Sequence, residues 1–188
     1  MSSFTRRAIL DAFLRILAKK PFRKITVRDI VEECEVNRTT FYYYFQDIYA
    51  IVEELASSMM TPYASALTGR MNREELRDVG DFVRIHRRAL RNLWEGIGDG
   101  EIRRYLGREL DGAIAACVDR LSEGLSVGED GKRSVVLLLR ESLIGFFRLV
   151  LWGELPEETV HIGRGLEAAA QRMLYMMSND RREEGRDE

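Results

Sequence analysis

The chain has 188 residues, 45% hydrophobic and 32% charged, with a formal net charge of −2, which is the composition of a soluble globular protein and excludes a uniformly basic nucleic-acid binder. Its two cysteines, Cys34 and Cys117, lack zinc-ligand or C-x-x-C spacing and read as buried thiols in a reducing cytoplasm. The distribution of charge is more informative than its total: residues 1–50 hold nine Lys/Arg against six acids, a net of +3, and the remainder carries −5.

Phe4 to Lys20 is predicted to form a first helix, with Ala8, Ile9, Ala12, Phe13, Ile16 and Leu17 on its inner side and Pro21 ending it. Arg6 and Arg7 are followed by no long apolar run, so this is not a secretion signal. Phe22 and Ile25 are expected to close a small core. Thr26 caps a second, short helix, and Asp29 three residues later completes a capping-box pattern. Val27, Ile30, Val31 and Cys34 recur at helical spacing and give it one apolar face. Glu35 and Val36 form a turn, and Asn37 is a good N-cap for a third helix. Phe41 and Phe45 stand four apart on that helix and point the same way, inward.

Arg38, Thr39, Thr40, Tyr42 and Tyr43 are then left mostly outside. So short a helix cannot persist alone in water and must be held from its apolar side. A guanidinium, hydroxyls and phenol rings on the other side suit a duplex. Hydroxyls and Arg near a helix N-terminus favour phosphate oxygens, Arg can bond a guanine edge bidentately, and Thr methyls can meet thymine methyls. This is the layout of a DNA-reading helix-turn-helix.

Residues from about Arg6 to Leu55 resemble the DNA-binding domain of TetR-family transcriptional regulators. The resemblance lies in Ile25-Thr26-Val27-Arg28-Asp29-Ile30 and in Val36-Asn37-Arg38-Thr39-Thr40-Phe41-Tyr42-Tyr43-Tyr44-Phe45, against a family pattern of T-x-x-x-I-A, a turn, then S-x-x-T-[FL]-Y-x-[YH]-F. Three positions depart from it. Glu35 stands where the turn usually holds Gly, which implies strain if that residue needs positive φ. Asn37 replaces a Ser-type cap, and Ile48 stands where a Lys often begins the next helix, which removes one phosphate contact. Phe45-Gln46-Asp47-Ile48-Tyr49 is similar to the branch related to dihydroxyacetone-kinase regulators. The resemblance implies DNA contacts at Thr26, Arg28, Arg38, Thr39, Thr40, Tyr42, Tyr43 and Tyr44. Thr26, Thr40 and Tyr44 are assigned to phosphates, and Arg38, Thr39, Tyr42 and Tyr43 nearer base edges.

Asp47 caps the next helix, which is expected to run to about Met60 before Thr61-Pro62 breaks or kinks it. Thr68 to Asn72 reads as a loop. Asn72 caps a helical stretch from Arg73 to about Gly96, with Gly80 as a dividing point and His86 beside its apolar stripe. His86 is read as a core-edge histidine or as a polar group lining a ligand cavity. Gly96 to Gly100 reads as a loop, Glu101 to Leu125 as a helix, Ser126 to Gly131 as a loop and Lys132 to Gly153 as the most apolar helix. Arg140, Glu141 and Arg148 interrupt that last run, so it is a buried helix and not a membrane span. Pro156 to Thr159 starts a final helix, and Ser178 to Glu188 reads as a charged, disordered tail.

The expected fold is all-α: a helix-turn-helix DNA-binding domain at 1–46, a helical effector-binding and dimerisation domain at 47–178, and a disordered tail at 179–188. The nearly all-apolar penultimate helix and the small residues of the last one (Gly163, Gly165, Ala168, Ala169, Ala170) have the pattern of an interface. The family resemblance implies a homodimer built from those two helices. His86 and His161 lack a nearby carboxylate or Cys partner pattern, and no phosphate loop, H-E-x-x-H or G-x-S-x-G is present, so no enzymatic activity and no cofactor or metal are expected. The expected function is a cytoplasmic, homodimeric regulator, a repressor released from an inverted-repeat operator by a small-molecule effector. Met59, Tyr63, Phe82, His86, Trp94, Tyr105 and Phe147 are the candidate effector-pocket residues. The alternative is a protein-interaction module or co-activator of the same fold with little DNA or ligand binding.

Overall fold

The computed structural model describes residues 2–67, 73–155 and 163–184. In chain order they form α1 (Ser2–Leu17), a short 3-10 turn η1 (Phe22–Lys24), α2 (Val27–Glu33), α3 (Arg38–Tyr44), α4 (Ile48–Leu67), α5 (Arg73–Ile97), α6 (Asp99–Leu121), α7 (Glu129–Trp152) and α8 (Gly163–Glu184). The described residues are helical without strands, as the periodicity predicts. The chain falls into two compact units, one of Met1–Ser58 with Asp81–Tyr105 and the other of Met59–Gly80 with Leu106–Glu188.

The first unit is built on aromatic packing. Phe13 and Phe41 are fully buried and Phe22 and Phe45 nearly so; each such side chain contributes about 1.5–3 kcal/mol over an exposed one. Phe22 meets the Phe13 ring edge-on with centroids 6.4 Å apart and the Tyr49 ring at 5.5 Å, an arrangement aromatic quadrupoles favour. The end of α5 is fastened to the α1–η1 connection by two reciprocal hydrogen bonds. Asn92 Nδ2 donates to the Leu17 carbonyl at 2.8 Å, and Arg23 Nε donates to the Gly96 carbonyl at 3.0 Å. Each bond satisfies a carbonyl at a helix C-terminus, where the helix itself offers no donor. Gly96 allows the approach, since a Cβ there would lie 2.5 Å from Phe22 Cβ.

The second unit packs α7 against α8, with Leu110, Ile114, Val135, Leu151 and Leu174 buried among their neighbours. Arg120 Nη2 donates to the Leu67 carbonyl at 3.2 Å and to Glu167 at 3.0 Å, tying α6 to the end of α4 and to α8. Gly153, at φ 77°, closes α7 in the left-handed conformation that glycine adopts at least cost.

Several expectations are corrected. α4 continues through Pro62 to Leu67; burial of Met59, Met60, Tyr63 and Leu67 outweighs the one backbone bond that proline removes. The break in α5 falls at His86 (φ −103°, ψ 15°) and not at Gly80. The loop expected from Gly96 to Gly100 shrinks to Gly98 alone, at φ 94°, between α5 and α6; Trp94 Nε1 donates across this joint to Asp99. The charged segment from 179 continues α8 as far as Glu184. The loop expected at Thr68–Asn72, the helix start at Pro156–Thr159, His161 and residues 185–188 lie outside the described residues. No helix among the described residues is long and apolar enough to cross a membrane.

Candidate nucleic-acid interface

The helix-turn-helix is fixed by local chemistry at each corner. Thr26 Oγ1 accepts from the Asp29 amide at 3.2 Å, and the Thr26 amide donates to Asp29 Oδ2 at 2.7 Å, which completes the predicted capping box. Lys20 Nζ donates to the same carboxylate oxygen at 2.7 Å. The Lys20 bond, and then the Thr26 bonds, hold the Asp29 carboxyl down at about 2. The turn is made by Glu35, whose φ of 55° lies in the left-handed region. That is the strained conformation the departure from Gly implies. Asn37 Oδ1 accepts from the Thr40 amide at 2.7 Å and caps α3.

α3 turns Phe41 and Phe45 inward, both buried, with rings 6.1 Å apart. Its opposite flank faces solvent. Tyr42 is 55% exposed and Tyr43 79% exposed. Arg38 and Thr39 are exposed, and Thr40 and Tyr44 are half-buried. The rings are braced: Tyr42 meets Phe41 edge-on at 5.4 Å and Tyr43 meets Tyr44 edge-on at 4.9 Å. The outward flank is therefore a pre-ordered set of planar and hydroxyl groups, which lowers the entropy lost on contact with a partner.

Two candidates are engaged internally. The Thr26 hydroxyl donates to Asp29 Oδ2 at 2.8 Å. Arg28 Nε pairs with Glu32 at 2.6 Å, both side chains exposed; the Glu32 hydrogen bond raises the Arg28 pKa. Other cations of the segment are also paired: Arg6 with Glu54, and Arg15 with Glu33 at 2.7 Å. The fully exposed Arg28–Glu32 pair is of the weak kind, typically about 0–1 kcal/mol.

The candidate effector residues are divided between the two compact units. Phe82, His86, Trp94 and Tyr105 belong to the first unit, and Met59, Tyr63 and Phe147 to the second. The His86 ring meets the Phe82 ring at a tilt of 45° with centroids 4.6 Å apart, and burial lowers its pKa against the opposing pull of Asp11. Tyr105 lines an open groove of about 630 Å³ together with Arg23, Tyr49 and Arg104. Tyr63 and Phe147 share a cavity of only about 10 Å³ with Met60, Leu110, Leu143 and Phe146, room for about one water molecule. Burial pushes the Tyr63 phenol up to about 12. Met60, not Met59, lines this cavity; both are buried, and periodicity alone does not separate adjacent residues of an apolar helix. Asn92, Arg23 and Gly96 were not singled out from the sequence, because their partners are 73 and 75 residues away.

Residues 9–55 match the family described as "Bacterial regulatory proteins, tetR family". Over 67 residues the chain is 28% identical to "Uncharacterized HTH-type transcriptional regulator YvdT" of Bacillus subtilis (strain 168), an alignment spanning 36% of this chain and 34% of that protein. Among solved structures, "Dihydroxyacetone kinase operon activator DhaS" superposes over 92% of this chain and 93% of its own, with a TM-score of 0.51 and 14% identity, a likeness of fold.

Proposed function

We propose that this chain, whose residues 9–55 match the tetR family of bacterial regulatory proteins, is a cytoplasmic, homodimeric transcription regulator of that family that reads duplex DNA through α3. The observation that carries this reading is the flank of α3: Arg38, Thr39, Tyr42 and Tyr43 face solvent while Phe41 and Phe45 are buried behind them. Arg38 and the two tyrosines serve base edges, and Thr40 and Tyr44 the backbone, so the first group governs sequence preference and the second register. Two copies are joined through α7 and α8. That pairing is supported by Leu137 and Leu138 on α7 and by Tyr175 and Met176 on α8, all at least 49% exposed. Apolar patches of this kind on a packed helix pair mark contact surfaces.

Regulation is proposed as repression relieved by a small molecule in the second unit. The cavity beside Tyr63 and Phe147, about 10 Å³, is too small for an effector, so an effector binds an expanded arrangement and shifts the population toward it. It can do so only by the difference in its affinity for the two arrangements. Ile48 at the start of α4 and the internally paired cations favour the second reading, an interaction module that binds DNA weakly.

Fluorescence anisotropy against the DNA flanking its own gene separates the two. The regulator gives saturable binding to an inverted repeat, and Tyr42→Ala or Arg38→Ala weakens it about 5-fold or more, from the about 1–3 kcal/mol carried by a base contact. Affinity equal to that for random DNA at low salt, unchanged in both variants, would overturn it.

A further inference from the structure

Four arginines, Arg84, Arg87, Arg88 and Arg91, fall at i, i+3, i+4 and i+7 on α5, with no acid between the first and the last. The face spans the break in α5 at His86. An open groove of about 450 Å³ runs along it, with Ile85 and Asn92 among its walls and Glu95 as the one carboxylate among its described lining residues. Arg84 and Arg88 are exposed; Arg84 pairs with Asp81 at 3.2 Å across an exposed contact that another anion can replace.

This face belongs to the compact unit that carries the helix-turn-helix. Asn92, next to Arg91, holds the Leu17 carbonyl, and Gly96 receives Arg23, three residues before the Thr26 cap. The stripe is thus fastened to the connection between α1 and α2. Several cations of that region are engaged internally: Lys20, Arg15 and Arg28 are each paired with a carboxylate, and Ile48 opens α4 where a cation would serve.

We propose that the α5 arginine stripe is a second DNA-contacting surface, binding backbone phosphates beside the segment read by α3. Guanidinium forks match phosphate oxygens bidentately, which makes arginine the residue suited to this partner. The contact adds affinity and salt dependence without sequence preference. It rests on the DNA-binding reading given above, and the test keeps the two apart.

Anisotropy is measured from 50 to 200 mM salt on the flanking DNA and on a random duplex, for the wild type, Arg88→Gln and Arg84→Gln/Arg88→Gln. Glutamine retains helix propensity at these exposed positions, and circular dichroism checks the fold. The slope of log K against log salt becomes shallower by about one unit per arginine removed from each bound head, equally on both duplexes, while the preference for the flanking DNA stays the same. Unchanged slopes overturn the stripe whatever the wild type's preference. A wild type with no preference for the flanking DNA defeats the operator reading, yet its slope on random duplex still tests the stripe. Charge reversal by Arg84→Glu/Arg88→Glu that leaves duplex affinity intact but abolishes binding of a polyglutamate peptide overturns the proposal in favour of an acidic protein partner.

Discussion

Glu35 shows how a single residue carries both a structural cost and a functional position. Its φ of 55° places a non-glycine side chain in the left-handed region at the turn before α3, a conformation costing about 1–2 kcal/mol for an L-residue. Glu35→Gly relieves that cost, offset in part by the greater freedom of glycine in the unfolded chain. A net stabilisation of about 0.5–1 kcal/mol is expected in urea unfolding; equal or lower stability would show that the turn is relaxed as it stands. This turn was legible in advance, because capping residues and the apolar spacing of Val27, Ile30, Phe41 and Phe45 leave Glu35 and Val36 as the only place for a reversal. The internal pairing of Arg28 with Glu32 was not singled out, although their i,i+4 spacing offered the signal.

Among the elements, the C-terminal end of α5 is the joint that sequence reading placed least well. Three glycines within five residues suggested a loop, yet each has a separate use. Gly98 takes the positive φ of the joint. Gly96 admits Phe22 against the helix. Gly100 simply continues in α6. The reason lies in contacts more than 70 residues apart in sequence, which local propensity cannot register. Gly96→Ala is therefore expected to destabilise the protein by about 1–3 kcal/mol, as overpacking does, because the added Cβ meets Phe22 Cβ at 2.5 Å. Gly112→Ala, on an open side of α6 with nothing within 4 Å, is expected to stabilise it by about 0.5–1 kcal/mol through helix propensity alone. Thermal unfolding of the pair checks this; equal shifts in the same direction would mean that Phe22 yields freely and the joint is soft.

Across the whole molecule, element identity was more legible than boundaries or partition. Every long amphipathic segment became a helix, because a 3.6-residue period survives small errors at its ends. The compact units do not follow the linear order of the chain, since 81–105 clusters with the N-terminal segment, and a sequence read from one end to the other has no signal for such interleaving. Aromatic and Met positions on helical faces are the candidate effector residues, and most of them are buried, the usual fate of such residues. The flank of α3 is what remains once the apolar face is assigned to the core, and its tyrosines are exposed. Hydroxyl-radical footprinting on the flanking DNA tests most directly whether this flank grips a duplex in paired copies. Two protected patches are expected on one side of the helix, centred about 10–10.5 base pairs or a multiple of that apart, both lost with Tyr42→Ala. A single protected patch, or protection that survives Tyr42→Ala, would contradict it.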